Sequence, residues 1–275
     1  MSEQPAGESR DLAWPVYLDQ SRDLGDQSLP HRMVLTGIEG RHAAAARRHR
    51  PGDMLVIADG AGAWVAGPVR AVRGKSEVEV EVALRGCEQL RAPRLTVALA
   101  LLKSDRSDLA VDQLTEVGVD RIVGWSARHC VATWTPERAE RGLARWRRTA
   151  AEAAKQSRRV RVPEIAGVVD TGGLAMLAAA SDAALVCHES ADQTLLAGLD
   201  AAIAADASAQ PSDILIVVGP EGGIADDELE HLRQAGARPV SLGPTVLRAA
   251  LAGAVAASVV LAAAGRLSPG AAGEP

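Results

Sequence analysis

The sequence predicts a mixed α/β protein: a small β-rich module followed by a larger domain built on a parallel sheet. Three observations carry this. From Leu95 onward, apolar runs of strand length alternate with segments of helical spacing, the pattern of parallel strands joined by crossover helices. Before Leu84 the apolar runs are short and β-type, punctuated by Pro51-Gly52, Asp59-Gly60, Gly67-Pro68 and Arg73-Gly74. The hydrophobic fraction is 47%, mostly Ala, Val and Leu, with no Phe and one Tyr, so the core is aliphatic. With 275 residues the chain has room for two domains.

Residues 1–12 read as a disordered leader. Residues 13–86 form the β-rich module, with strands at 53–57, 63–72 and 78–84 and one helical segment at 40–48. Residues 87–94 read as a linker, marked by the polar, charged stretch Gly86 to Pro93. The second domain spans 95–267. Its strands are expected at 96–102, 121–125, 183–187, 213–218 and 239–242. Its helices are expected at 108–117, 136–158, from about Asp192, at 226–235 and at 246–261. Pro136 suits the first turn of its helix, where a missing N–H does no harm. The acids that open the 226–235 segment suit the positive end of a helix. Residues 268–275 read as a flexible tail.

Several classes are disfavoured. The first twenty residues are acidic and polar, unlike a secretory signal. The longest apolar run, 249–264, is Ala-rich, contains Gly253, and falls short of the ~20 residues of a membrane span. Three cysteines, Cys87, Cys130 and Cys187, are odd in number and widely spaced, which points to a reducing, cytoplasmic setting. His129-Cys130 and Cys187-His188 are adjacent pairs that point to opposite faces of a strand, so each offers one ligand and no metal site is expected. There is no GxxxxGK[ST], no GxSxG and no HExxH, and Gly60-Ala-Gly62 lies between strands without a third glycine.

The net charge of −5 is unevenly spread. Residues 1–30 carry six acids against two bases, whereas 138–161 carries nine bases against two acids. Arg41, Arg47, Arg48 and Arg50 form a second basic cluster, with His42 and His49 among them. Either cluster alone reads as a solvated helix face. Together they point to a polyanion, RNA or DNA, docked at a defined place.

The chemistry is concentrated near the carboxyl end. Ile214-Leu-Ile-Val-Val-Gly-Pro-Glu-Gly-Gly223 is a buried strand running into a glycine turn that carries one carboxylate. Ser241-Leu-Gly-Pro-Thr-Val-Leu-Arg248 is a second strand end and glycine turn, opening an Ala-rich helix. Cys187-His188-Glu189 closes a third strand. In an open parallel sheet such strand ends converge on a ligand. Two glycine turns can hold it with main-chain groups, because glycine permits close approach.

These residues resemble the bacterial ribosomal RNA uridine-N3 methyltransferases of the SPOUT superfamily. The likeness rests on Gly219-Pro-Glu-Gly-Gly223 followed by an acidic helix, and on Leu242-Gly-Pro-Thr-Val-Leu-Arg248. It extends to Leu114-Thr-Glu-Val-Gly-Val119 with Ile122, Trp125, Ser126 and Arg128, and to Glu152-Ala-Ala-Lys-Gln-Ser-Arg158 with Pro163. Lys103-Ser-Asp-Arg106 and the 39–60 segment also fit, so the resemblance covers residues 15–265. It implies an N-terminal PUA-like β-barrel that holds RNA, and a C-terminal α/β domain tied in a trefoil knot. It also implies S-adenosylmethionine as methyl donor, a homodimer through the knot region, and a uridine of 16S ribosomal RNA, within the small subunit, as substrate.

On that reading Val218, Gly219, Pro220, Glu221, Gly222, Gly223, Leu242, Gly243, Val246 and Leu247 bind the cofactor. Arg248 stabilises the uracil anion or orients a phosphate. Glu221 and Glu189 are candidate bases for the N3 proton or cofactor-orienting groups. Arg41, Arg47, Arg48, Arg128, Arg147, Arg158 and Arg159 contact RNA. The chain departs from the family pattern at Ala249-Ala250-Leu251, where small hydroxyl or acidic residues are usual. That departure supports a competing expectation, a weak or inactive RNA-binding or ribosome-assembly protein of the same fold.

Overall fold

The structure is a computed structural model that describes residues 13–26, 30–205 and 211–268. The expected leader, 1–12, and the expected tail beyond Ser268 lie outside the described residues. The described chain divides into two compact units: residues up to Leu90 together with 154–162, and residues 91–153 with 163–268.

The first unit holds β1 (Val16–Leu18), β2 (Arg32–Leu35), α1 (Gly37–Arg41) with a π-helical continuation His42–Ala46, β3 (Met54–Ala58), β4 (Ala63–Arg73), β5 (Glu77–Glu81) and β6 (Leu84–Cys87). They form one sheet in the order β1-β3-β4-β5-β2, with β6 added to β4. The long strand β4 organises the sheet. Its first half pairs with β3 and β6, and its second half pairs with β5 after a register shift between Val69 and Ala71. Such an irregularity bends a strand and re-aims its partners. Tyr17, Met33, Leu55, Ile57, Val65, Val78 and Val80 fill the core beneath.

Residues 154–162 return to this unit rather than continuing the second domain, as a single 95–267 domain would have it. The buried Lys155 donates to Glu39 Oε1 at 2.7 Å, Val162 N–H to Gly60 O at 2.9 Å, and Arg161 Nε to Glu88 O at 2.6 Å, while Val160 is fully buried. The expected linker also begins later than its polar composition suggests. Leu84–Cys87 pairs with the Ala63–Ala66 stretch of β4 as an added strand.

The second unit contains β7 (Arg94–Ala100), α2 (Ser104–Val117), β8 (Arg121–Trp125), β9 (Glu164–Val169), α4 (Thr171–Ala179), β10 (Ala183–Cys187), α5 (Leu195–Ala205), β11 (Asp213–Val218), α6 (Asp226–Gln234), β12 (Arg238–Val240) and α7 (Ala249–Ala263). It also holds all but the last turn of α3 (Pro136–Gln156). The strands form one sheet in the order β12-β10-β11-β7-β8-β9, every pairing parallel. The chain works outward from β7 to β9, crosses to β10, then returns to insert β11 beside β7. The direction of travel therefore reverses between β7 and β11, the place where open sheets leave a crevice.

Both faces of this sheet are covered, so its strands read as near-continuous apolar runs. On β11, Leu215 and Val217 face the cluster of Leu174, Ala178 and Leu232 from α4 and α6. On the opposite side Gly253 of α7 lies against Leu114 and Val218. The last helix starts at Ala249, later than expected, because 241–248 is taken up by the turn and Arg248 is its extended N-cap (ψ 144°). Among the described residues no helix is long and apolar enough to cross a membrane.

Arg266, just beyond α7, is clamped into this unit. Its guanidinium meets Asp120 through both oxygens, with Nη2 to Oδ1 at 3.0 Å, and donates to Pro93 O at 2.9 Å. Asp120 in turn accepts from Leu95 N–H at 2.8 Å. The two side chains are 13% and 3% exposed. Removing one partner of a pair this buried strands the other charge, at a cost of about 3–5 kcal/mol. Arg266→Ala is expected to destabilise the protein by about 3 kcal/mol in urea unfolding, and a change under 1 kcal/mol would mean the clamp is solvated.

Candidate active site

The register sets the site. Cys187 pairs with both Val218 and Val240, so β10, β11 and β12 end level. The segments that follow, from His188, Gly219 and Ser241, therefore meet at one edge of the sheet. A cavity of about 270 Å³ opens there. Val218, Gly219, Pro220, Glu221 and Gly223 form one wall, and Val246, Leu247 and Arg248 form the other. A smaller cavity of about 110 Å³ adjoins it, lined by Leu242 and Gly243, with Cys187, Glu189, Val246, Leu247 and Ala252 common to both.

Gly222 stands apart from the other expected cofactor residues. It lines neither cavity. A Cβ built on it would lie 3.0 Å from His129 Cβ and 3.2 Å from His129 O. Its missing side chain admits the 127–130 loop, not a ligand. Gly219 is constrained from the other side, since a Cβ there would sit 2.6 Å from Ile224 Cγ1. Gly223 takes φ 77°, closing the turn with a bond from its N–H to Pro220 O at 3.0 Å. That left-handed conformation favours glycine.

Charges are arranged unequally around the cavity. Glu221 is bonded by Arg106 of α2, Nη1 to Oε1 at 2.7 Å, and the carboxylate raises the Arg106 pKa. In the sequence Arg106 stands out only within the 103–106 part of the family resemblance; nothing local ties it to a residue so far along the chain. Glu189 is exposed and has no hydrogen-bond partner among the described residues. Arg248 is also exposed and has no carboxylate partner among them. The first turn of α7 behind it adds to the positive charge that this guanidinium brings to the 246–248 wall. Ala249 and Ala252 line the same cavity without polar side chains, leaving Arg248 and backbone to set its polarity there. Burial pushes the Cys187 thiol up to about 12, so the thiol is neutral near pH 7.

Behind the glycine turn lies a buried carboxylate, Glu228 of α6. Its Oε1 accepts from Arg128 N–H at 3.0 Å and Thr171 Oγ1 at 2.7 Å, and its Oε2 from Ala225 N–H at 3.4 Å. The last bond is half of a capping box, since Ala225 has no side-chain acceptor to complete it. Trp125 Nε1 extends the network to Thr171 Oγ1 at 3.3 Å. His129 Nδ1 then meets Gly223 O at 3.2 Å.

Of the expected RNA-contacting arginines, Arg47 and Arg158 come together. They line one small cavity of the first unit with Tyr17, His42 and Lys155. Burial raises the Tyr17 pKa to about 12, and its hydroxyl meets His49 Nε2 at 2.8 Å. Arg41 and Arg48 are exposed nearby in sequence, and Arg159 is half-buried. Arg128 and Arg147 belong to the second unit; Arg147 is exposed, and Arg128 is ion-paired with Asp227. Among the described residues no three His, Cys, Asp or Glu side chains converge to hold a metal.

A family profile described as an RNA methyltransferase domain matches residues 89–261. The chain is 42% identical over 253 residues to the ribosomal RNA small subunit methyltransferase E of Mycobacterium tuberculosis, covering 90% of this chain and 91% of the relative. It is 28% identical over 229 residues to the protein of that name from Bacillus subtilis, covering 82% and 88%. The fold is like that of the Neisseria gonorrhoeae ribosomal RNA small subunit methyltransferase E bound to S-adenosyl methionine. That match has a TM-score of 0.71 at 20% identity, over 91% of this chain and 98% of that one.

Glu228→Ala removes the acceptor of three donors and is expected to cost about 3 kcal/mol. Glu228→Gln, which keeps one carbonyl oxygen, should cost less. Denaturant unfolding checks the order, and equal losses would show that the charge alone matters.

Proposed function

Because the chain belongs to the RNA methyltransferase family of ribosomal RNA small subunit methyltransferase E, we propose that it methylates N3 of a uridine in 16S ribosomal RNA, using S-adenosylmethionine. The observation that carries this is the cleft between the two glycine turns, walled largely by main chain and apolar side chains, with the carboxylates of Glu189 and Glu221 and the guanidinium of Arg248 in its lining. The paired cavities suit a nucleoside and a short polar tail side by side. The expected trefoil knot, PUA-like barrel, homodimer and cytoplasmic location belong to the same proposal, supported by the family resemblance.

S-adenosylmethionine, when bound, supplies an electrophilic methyl group on a sulfonium. The chain's residues then have three tasks. Main chain at Val218 to Gly223 and at Leu242 to Leu247 positions the donor, and alignment accounts for much of the rate. The N3–H proton must leave so that the N3 lone pair can form the new N–C bond as the S–C bond breaks. Glu189 is the better-placed acceptor, being exposed on the cavity wall and unpartnered among the described residues, while Glu221 is engaged by Arg106. Arg248 stabilises the negative charge that develops on the uracil.

The direct test is mass spectrometry of small-subunit RNA from cells with and without the protein. One methylated uridine is expected to vanish with the protein, and an unchanged spectrum overturns the reading. At the residue level, Arg248→Ala is expected to lower kcat by about 10²–10³ while leaving cofactor affinity within a few-fold, with Arg248→Lys intermediate. Glu189→Gln, which keeps the shape but removes the proton acceptor, should lower kcat by about 10²–10⁴. A Glu189→Gln enzyme with wild-type kcat moves the proton acceptor elsewhere.

A further inference from the structure

The second unit holds another cavity, of about 410 Å³, between the start of α2, the 131–134 loop and the first turns of α3. It shares no lining residue with the cleft described above. Its aromatic wall is pre-set. Trp134 packs edge-on against the buried Trp146, ring centroids 5.5 Å apart. It also lies over Gly142, where a Cβ would approach the indole to 2.3 Å. Only a glycine at that position leaves room for the ring.

The polar side of the cavity is as specific. Arg138, Arg141 and Arg145 are spaced to share one face of α3. Arg145 is ion-paired with Asp108. Arg138 and Arg141 have no carboxylate partner among the described residues, and the other Asp108 oxygen, Oδ1, is buried without a hydrogen-bond partner. A buried acceptor left open calls for a donor. An aromatic plane, two permanent cations and a waiting acceptor match a nucleotide: a base to stack, a hydroxyl or N–H to donate, and phosphates to pair.

Two chain segments link this cavity to the methyl-transfer cleft. Ser107 and Asp108 directly follow Arg106, which holds Glu221. Val131 to Trp134 closely follow His129, which meets Gly223 O. We propose that this cavity is a nucleotide subsite for substrate RNA. A base stacks on Trp134, a ribose hydroxyl or base N–H donates to Asp108 Oδ1, and neighbouring phosphates meet Arg138 and Arg141. The proposal rests on the RNA methyltransferase reading and assigns part of its substrate's path.

The test uses the full-length protein, a labelled single-stranded uridine hexanucleotide and, separately, small-subunit RNA as methyl acceptor. Trp134→Ala and Arg141→Glu are each expected to weaken hexanucleotide binding by about tenfold or more, and Arg141→Glu to flatten its salt dependence. Trp134→Phe, which keeps a stacking face, should recover most of the loss. In methyl transfer the same variants should raise KM for RNA with cofactor affinity unchanged. Wild-type hexanucleotide affinity and wild-type KM in both variants would overturn the subsite and leave the enzyme reading standing. Loss of hexanucleotide binding in the variants, in a protein that transfers no methyl group, would support the subsite and overturn the enzyme reading. Exposed Arg138→Glu provides a variant whose fold is not in question: its expected loss supports the subsite, and unaltered affinity counts against it.

Discussion

The buried carboxylate of Glu228 is the point on which the surroundings of both cavities turn. A charge removed from water must be fully bonded, and here the donors come from the 127–130 loop, the start of α4 and the residue before α6. Satisfying it fixes three segments at once. It sets the 127–130 loop against Gly222, and that loop leads directly to the 131–134 wall of the second cavity. The glycine turn and the Trp134 wall are thus oriented from a common anchor that itself touches no ligand.

The main cleft follows a division of labour. Backbone and small side chains give it shape, because the level ends of β10, β11 and β12 deliver three turns to one edge. Polarity is left to very few side chains. One carboxylate, Glu221, is engaged by a cation; among the described residues another, Glu189, is open, and the guanidinium of Arg248 has no carboxylate partner beside a helix start that offers no competing side chain. The alanines at 249 and 250 look like a deficiency against the family pattern. In the structure both are buried, and Ala249 forms an apolar patch of the cavity wall.

Much of this was legible beforehand because the signals are local. β8, β10 and β11 occupy the expected residues, since a parallel strand buried on both faces must be a bounded apolar run. The glycine turns announce themselves by composition, and the structure brings their residues together apart from Gly222. That residue lies in the same motif yet faces His129, which no spacing rule reveals. Arg106 and Glu228 were illegible as site residues for the same reason. Their partners lie 115 and up to 100 residues away, and acids at a helix start read as complements of its positive end. The polar strand β6 was hidden because its only credential is an open edge on β4.

The first unit is assembled from two visits of the chain, with Val160 and the Lys155–Glu39 pair delivered long after Leu90. It is therefore not a detachable cassette. A fragment ending at residue 90 would carry its sheet but lack the insert that closes over Gly60 and neutralises Glu39, leaving a raw hydrophobic seam. Genetic dissection, domain swaps between relatives and limited proteolysis all meet the same obstacle, because the coding boundary and the physical boundary do not coincide.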